Sequence, residues 1–126
     1  MESLLRLKKR RKMAEELQLF VKWSEFLKWL LNTTEKFPKK VRFTFTTRID
    51  NLALDILEDI IEFRYDKKAR QSGFMKINIK FEKLRILLRM CHELQYLSTK
   101  QFEYAVTHIN EVGKMAGGWL KGSDAA

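Results

Sequence analysis

Turn-forming residues are scarce in this chain of 126 residues, which has one proline and five glycines. A β-sandwich of this size needs turn signals about every 8–12 residues, so their scarcity disfavours a β fold and favours an all-α one. The single cysteine, Cys91, cannot form an internal disulfide, which is typical of the reducing cytoplasm. No apolar run reaches the ~18 residues of a membrane-spanning helix. We therefore expect a cytoplasmic protein with no membrane partner.

Charge is abundant and unevenly distributed, with a net charge of +9. Residues 1–12 carry six basic and one acidic side chain, and residues 36–49 carry five basic and no acidic ones. Residues 50–66 carry six acidic and one basic side chain, whereas residues 67–92 carry eight basic and one acidic. Alternating blocks of this kind indicate packed helices with complementary faces, and the basic surplus favours a polyanionic partner.

The first helix is predicted over residues 14–35. It should end before Pro38, since the residue that precedes a proline is pushed out of the α region. Its apolar residues recur at steps of three, four and seven, which is the pattern of one helix face. These residues are Leu17, Phe20, Leu27, Leu30 and Leu31, with Val21 and Phe26 widening the face.

The stretch FPKKVRFTFTTRID (37–50) alternates apolar and polar residues over three steps, as a strand would. Beyond it, apolar residues follow helical spacing for about five turns, and the longer period predicts a helix rather than a strand. Thr44 or Thr46 is the expected N-cap of this second helix. The helix should end near Tyr65.

Residues 66–73 are charged and end in glycine, which favours a loop. The third helix is predicted over about 75–96, and it carries two apolar faces. The first face, expected in the core, contains Ile77, Phe81, Leu84, Leu87, Leu88, Cys91 and Leu94. The second face contains Ile79, Ile86, Met90 and Leu97. It should contact a neighbouring subunit or, alternatively, helix 1 or 4 of the same chain.

Ser98 and Gln101 have the spacing of a capping box and predict the start of a fourth helix. The apolar face of this helix contains Phe102, Ala105, Ile109, Val112, Ala116 and Trp119. Four helices with short connectors predict an antiparallel, up-down-up-down four-helix bundle over residues 13–121. A basic N-terminal tail (1–12) and a C-terminal tail (122–126) should flank it.

The patterns of known catalytic and metal sites are missing from the sequence. Adjacent helical residues point about 100° apart, so Cys91 and His92 cannot share a metal. There is no H-E-x-x-H, C-x-x-C or phosphate-binding loop. The acidic residues of helix 2 lack the Glu-x-x-His pairs of di-metal bundles. We expect no catalytic activity, no metal site and no cofactor.

Arg85 and Arg89 lie four residues apart, so their charges should meet on one face of helix 3. Like charges at this spacing cost ~0.2–0.5 kcal/mol in an isolated helix, and an anion should offset that cost. The anion is either the acidic helix 2 or phosphate, which arginine binds through two parallel hydrogen bonds. The basic runs of residues 8–12 and 36–42 are either solvated surface or sequence-independent phosphate contacts. The candidate nucleic-acid-binding residues are Arg85, Arg89, Lys39, Lys40, Arg42, Lys8, Lys9, Arg10, Arg11 and Lys12.

Several stretches of the chain together resemble one protein family. They are KWSEFLKWLL (22–31), FPKKVRF (37–43), LRILLRM (84–90), LSTKQFEYA (97–105) and EVGKMAGGWLK (111–121). Over about residues 14–121 the chain resembles the accessory variability determinant (Avd) proteins of diversity-generating retroelements. The wider group includes four-helix-bundle proteins encoded in ribosomal RNA intervening sequences.

The resemblance implies a basic bundle that assembles into a homopentamer and binds template RNA and the element's reverse transcriptase. Such a protein supports mutagenic reverse transcription without being the polymerase. The family's L-R-x-x-L-R pattern falls on Arg85 and Arg89, and its F-P-K pattern falls on residues 37–39. The alternative is a stand-alone structural bundle of the intervening-sequence type, with no reverse-transcriptase partner.

Overall fold

The computed structural model describes residues 3–122, which form four α-helices joined by short connectors. The helices are α1 (Leu4–Thr34), α2 (Thr47–Tyr65), α3 (Ala69–Glu93) and α4 (Thr99–Gly122). Both α1 and α3 pack against α2 and α4, so the four helices form a square around one apolar core. Because short connectors join packed neighbours, successive helices run antiparallel. The predicted all-α four-helix bundle is confirmed, and the described residues contain no strand.

Aromatic side chains occupy the centre of this bundle. Trp23 of α1 is fully buried, and its indole N–H donates to the Ala53 carbonyl of α2 at 2.9 Å. The Trp23 ring lies 5.1 Å from the ring of Phe26 and 5.5 Å from that of Phe81 on α3. A buried indole needs a hydrogen-bond acceptor, so this one side chain sets the register of three helices.

The stretch 37–50 leads into α2 by helical turns, as the longer period predicted. A 3₁₀ turn over Lys39–Val41 is followed by a π turn over Arg42–Thr46, and α2 then runs to Tyr65 as expected. In a π turn the backbone hydrogen bonds span five residues instead of the four of an α-helix. The turn thus contains one extra residue, which interrupts the α-helical period. The three-step alternation therefore marks an irregular helical lead-in.

Thr46, one of the two predicted N-cap residues, does precede α2, but it does not cap the helix. Thr46 has helical dihedral angles of −58° and −52° and makes no capping bond, and Thr44 Oγ1 donates to the Val41 carbonyl at 3.2 Å. Thr47 Oγ1 donates to the Arg42 carbonyl at 2.5 Å. An N-cap satisfies amides that lack a preceding turn. Here the preceding turns are already helical, so no such cap forms.

The loop predicted over residues 66–73 is confirmed only over residues 66–68, since α3 begins at Ala69. Gly73 lies inside α3 and is buried against Phe63 of α2. A Cβ atom at position 73 would lie 2.1 Å from Phe63 Cε1. The absence of a side chain at position 73 therefore allows α2 and α3 to approach closely. In the sequence alone, this glycine resembles a loop residue.

Arg70 is a buried residue in the first turns of α3 that the sequence analysis did not single out. Its Nε donates to the Phe63 carbonyl at 2.5 Å, and its Nη2 donates to the Arg64 carbonyl at 3.2 Å. Its guanidinium also lies 5.0 Å from the centre of the Trp119 ring. Carbonyls at the end of a helix lack intrahelical donors, so Arg70 caps α2 and joins it to α4.

The apolar face predicted for α1 is only partly correct. Three of its members are exposed: Leu17, Phe20 and Val21. Leu19 and Trp23, which the pattern left out, are fully buried. Apolar residues occur on several sides of α1, so its sequence offers more than one candidate stripe. The positions of α2 and α4 decide which stripe is covered.

Three of the four residues predicted for the second apolar face of α3 are not covered by the described part of the chain. Ile79 is 47 % exposed, Ile86 is 46 % exposed and Met90 is 43 % exposed. The alternative in which helix 1 or 4 of the same chain covers this face is therefore wrong. Its contact with a neighbouring subunit stays a prediction.

The end of α3 reverses the expected places of two leucines: Leu94 is exposed and Leu97 is buried. The helix ends at Glu93 rather than near 96, because Gln95 adopts a φ of 67°. The Gln95 amide donates to the His92 carbonyl at 3.0 Å, and the Tyr96 amide donates to the Cys91 carbonyl at 2.8 Å. This is a Schellman motif, and positions beyond it no longer follow the helical period.

The capping box at the start of α4 is confirmed. The Gln101 amide donates to Ser98 Oγ at 3.1 Å, and the Ser98 amide donates to Gln101 Oε1 at 2.9 Å. The predicted face is largely confirmed, since five of its residues are buried: Ala105, Ile109, Val112, Ala116 and Trp119. Phe102, the sixth, is half-buried at the start of the helix.

The segment expected as an N-terminal tail is helical from Leu4 onward and forms the first turns of α1. Ser3 Oγ accepts a hydrogen bond from the Arg6 amide at 3.2 Å and caps this helix. The C-terminal tail prediction lies outside the described residues, except for Gly122 at the end of α4. None of the described helices is long and apolar enough to cross a membrane.

Gly73→Ala should destabilise the fold by about 1–3 kcal/mol, because the added methyl group must displace the Phe63 ring. Gly118→Ala is the matched control, since a Cβ atom there would meet nothing within 4 Å. The control should be neutral or stabilising by up to ~1 kcal/mol. The free energy of unfolding in urea measures both, and a Gly73→Ala variant as stable as wild type would contradict the close helix contact.

Candidate nucleic-acid interface

Arg85 and Arg89 share one side of α3 but differ in what they contact. Arg85 is half-buried: its Nε donates to Asn110 Oδ1 of α4 at 2.8 Å, and its Nη1 lies 3.0 Å from Glu82 Oε2. Its anionic partner within the described chain is therefore Glu82 of α3, and the alternative in which the acidic helix 2 holds Arg85 is wrong. The Arg85 side chain fastens α3 to α4.

Arg89 is exposed, and within the described part of the chain its side chain makes no hydrogen bond or ion pair. It lies on the rim of a cleft of about 260 Å³ between α3 and α4. The cleft is lined by Arg85, Arg89, Phe102, Glu103, Val106 and Thr107. An exposed guanidinium with unused donors, beside an apolar floor, can receive a phosphate or carboxylate group.

A second groove, of about 660 Å³, lies on the other side of Arg85 between the same two helices. Its lining includes Asn78, Asn110 and Lys114, together with three glycines of α4: Gly113, Gly117 and Gly118. Lys114 is exposed and was not among the predicted site residues. Arg85 therefore separates two clefts, each of which has a further basic residue on its rim.

The basic run of the α1–α2 connector lies at the same end of the bundle as Arg89. Lys39, Lys40 and Arg42 are exposed there. The rings of Phe37 and Tyr96 lie 6.0 Å apart, which joins this connector to the end of α3. We call this end, defined by Lys39, Lys40, Arg42 and Arg89, the basic end.

The N-terminal basic residues lie at the opposite end of the bundle. Lys8, Lys9, Arg10 and Arg11 are exposed near the start of α1, and Lys12 is half-buried. At about 1.5 Å per residue, Lys8 lies roughly 40 Å from the last turn of α1. The ten predicted residues therefore do not form one site. They divide between the two ends.

Lys36 and Lys100 are exposed basic residues at the basic end that the site prediction left out. Lys36 lies in the α1–α2 connector, and Lys100 lies in the first turn of α4. The signal that could have found Lys100 is topological. In an up-down-up-down bundle, the first and third connectors lie at the same end.

A cleft of about 340 Å³ beneath the α1–α2 connector contains one perturbed carboxyl group. Burial raises the pKa of Asp50, and a hydrogen bond from Thr34 opposes that shift. Thr34 Oγ1 lies 2.7 Å from Asp50 Oδ1, which ties the end of α1 to the first turn of α2. Arg42 lines the rim of this cleft, so the interaction positions the base of the basic end.

The residues considered for chemistry are held in structural roles. Burial raises the pKa of Cys91 to about 11, so its thiol stays protonated near neutral pH. His92 stacks on Phe102 with ring centres 5.1 Å apart, and its Nδ1 lies 3.1 Å from the Leu97 carbonyl. Among the described residues, no three acidic, histidine or cysteine side chains are grouped so that they could hold a metal ion.

These features define a basic four-helix bundle with arginine-lined clefts between α3 and α4 and exposed cations at both ends. Residues 17–123 match the family model described as bAvd-like. The chain therefore belongs to the bAvd-like family, which confirms the resemblance to Avd proteins. That family is one of accessory proteins and is not a known enzyme family. No curated protein and no solved structure matches the chain.

Arg85→Ala should lower the free energy of unfolding by about 1–2 kcal/mol, because it removes hydrogen bonds to Asn110 and Glu82. Arg89→Ala removes the same side chain from a position without such bonds, and its effect should stay within about 0.5 kcal/mol. Urea denaturation of both variants tests the difference. Equal losses of stability would contradict the separate roles of the two arginines.

Proposed function

We propose that this protein is a non-catalytic accessory subunit of a diversity-generating retroelement, where it binds template RNA and the reverse transcriptase. Membership of the bAvd-like family supports the assignment to a diversity-generating retroelement. The observation that carries the RNA part is Arg89. It is exposed, has no partner among the described residues, and lies at the same end of the bundle as Lys39, Lys40 and Arg42.

Phosphate is the ligand that fits this arrangement best. Arginine binds phosphate through two parallel hydrogen bonds, and lysine adds a mobile positive charge. None of the four residues of the basic end forms an ion pair within the described chain. Their charges are therefore available to a polyanion. Binding of this kind is sequence-independent and weakens steeply as salt rises.

Self-association into a ring, with five subunits as in the resembling family, is the second part of the proposal. The uncovered face of α3 (Ile79, Ile86, Met90) supplies apolar surface, and the same helix exposes Lys76 and Lys83. On α2, the exposed acidic residues are Asp55, Glu58 and Glu62. A face of α3 and a face of α2 are different surfaces, and contacts between unlike surfaces generate rings when the rotation closes.

The proposal of a reverse-transcriptase partner is supported by family membership alone. Affinity capture of the protein from its native host, with identification of the bound protein and RNA, tests it. Recovery of RNA with reverse transcriptase supports the proposed function. A stand-alone bundle of the intervening-sequence type predicts recovery without reverse transcriptase.

The double variant Arg89→Ala, Lys40→Ala should weaken RNA binding and lower the slope of log affinity against log salt. For single-stranded RNA the slope falls by about 0.7 for each lost phosphate contact. The matched control is Lys67→Ala, Lys68→Ala, which removes two exposed charges from the α2–α3 connector at the opposite end. Filter binding between low and physiological salt measures both variants.

The control should retain nearly wild-type affinity. Equal losses in the two double variants would show that net charge alone controls binding and would contradict a role for the basic end. A wild-type protein that binds no RNA at low salt would contradict the RNA part of the proposed function.

Ile86→Glu should dissociate the oligomer at micromolar concentration, because it places a charge in the apolar face of α3. Phe43→Glu is the control, since Phe43 is an exposed apolar residue outside this face. Light scattering gives the mass of each, with the control retaining the wild-type mass. A wild-type monomer at every concentration would refute self-association, and an unchanged mass in Ile86→Glu would refute this interface.

A further inference from the structure

A connected group of aromatic rings runs from the core to the surface between α1 and α4. Trp29 lies 4.4 Å from Tyr104, and Tyr104 lies 4.0 Å from His108, measured between ring centres. Phe26 lies 5.7 Å from Trp29 and 6.1 Å from His108. Phe26 is buried, whereas Tyr104 is 40 % exposed. The group therefore has a fixed inner ring and an open outer edge.

The outer rings have polar atoms that the bundle does not use. Neither Trp29 Nε1 nor Tyr104 Oη forms a hydrogen bond with any described residue. His108 Nδ1 lies 2.8 Å from the Tyr104 carbonyl. With the proton on Nδ1, this bond leaves Nε2 as a free acceptor. Neither the indole nitrogen nor the phenol oxygen is among the described polar atoms that are buried without a partner, so both are open to solvent and to a ligand. The rings therefore offer an exposed amphipathic surface with polar atoms that a ligand can use.

The charges around these rings nearly balance. Lys28 and Lys100 are exposed nearby in sequence, and Glu25 and Glu103 are exposed beside them. Glu111 is paired with Lys22, and the Lys22 ammonium lowers the pKa of the Glu111 carboxyl. A ligand at this place would therefore gain little from net charge. Its affinity would come from contact with ring faces.

The rings also lie close to the candidate interface. Tyr104 follows Glu103 on α4, and Glu103 lines the cleft that holds Arg89. The aromatic rings and the arginine cleft therefore lie on either side of the exposed ridge of one helix. A flexible polymer with phosphates and flat rings can contact both places at once, whereas a rigid duplex presents its phosphates and keeps its bases stacked inside.

We propose that Trp29, Tyr104 and His108 form a stacking platform for an unpaired base of single-stranded RNA. This inference rests on the proposed RNA binding and adds the state of the RNA that the protein prefers. Every base has a flat ring face, so such a platform tolerates sequence differences. It distinguishes unpaired from paired RNA, which phosphate contacts alone do poorly.

Fluorescence of wild type and variants with an oligoadenylate, and with the same strand in a duplex, tests the platform. Trp23 and Trp119 are buried, so quenching on binding should report mainly on half-buried Trp29. Tyr104→Leu should reduce affinity for the single strand about five-fold or more and leave the duplex unaffected. Tyr104→Phe keeps the ring and should bind like wild type. The loss in Tyr104→Leu should persist at higher salt, because stacking is not an ionic contact.

The melting temperatures of Tyr104→Leu and Tyr104→Phe are measured as a control, and both variants should be folded. If wild type binds RNA and Tyr104→Leu binds the single strand equally well, the platform is refuted and the proposed function stands. If wild type binds no RNA, the proposed function fails as well. If Tyr104→Leu loses capture of a host protein but keeps its RNA affinity, the rings are a protein contact and the platform is again refuted.

Discussion

The hydrogen bond from the Trp23 indole to the Ala53 carbonyl is the constraint on which the bundle depends. The donor is fully buried, and a buried N–H without an acceptor costs about 1–3 kcal/mol. The bond therefore sets the height of α1 against α2, while the contact of the Trp23 ring with Phe81 sets that of α3. Charged residues on all three helices take their positions from this register.

The same packing determines which basic side chains are bonded within the bundle and which can bind a partner. Arg70 is used to cap α2 and Arg85 to join α3 to α4, so neither guanidinium is free to leave its place. Arg89, four residues after Arg85, lies one turn farther along α3 and has no such partner among the described residues. Two arginines that are equivalent in a helical pattern thus acquire different roles, because Arg85 lies opposite an amide acceptor on α4, Asn110, and Arg89 has no such acceptor among the described residues.

The basic end exists because two connectors meet there. Rings of the α1–α2 connector pack against Tyr96, with Phe37 at 6.0 Å and Phe45 at 6.4 Å. Tyr96 is brought to this place by the left-handed Gln95, which turns the chain out of α3. The N-terminal cations lie at the far end of a 31-residue helix. A single RNA that contacts both ends must therefore follow the length of the bundle.

Local interactions account for what the sequence determined by itself: the four helices, the absence of a strand in the described chain, the end of α2 at Tyr65 and the capping box at Ser98. Each depends on residues within a few positions of one another. Tertiary structure alone decided that Gly73 lies in a helix contact, that Leu17 stays exposed and that Arg85 bonds to Asn110. Each of these depends on a neighbouring helix far away in sequence, and the pattern within one helix contains no information on which neighbour covers it or how closely it approaches.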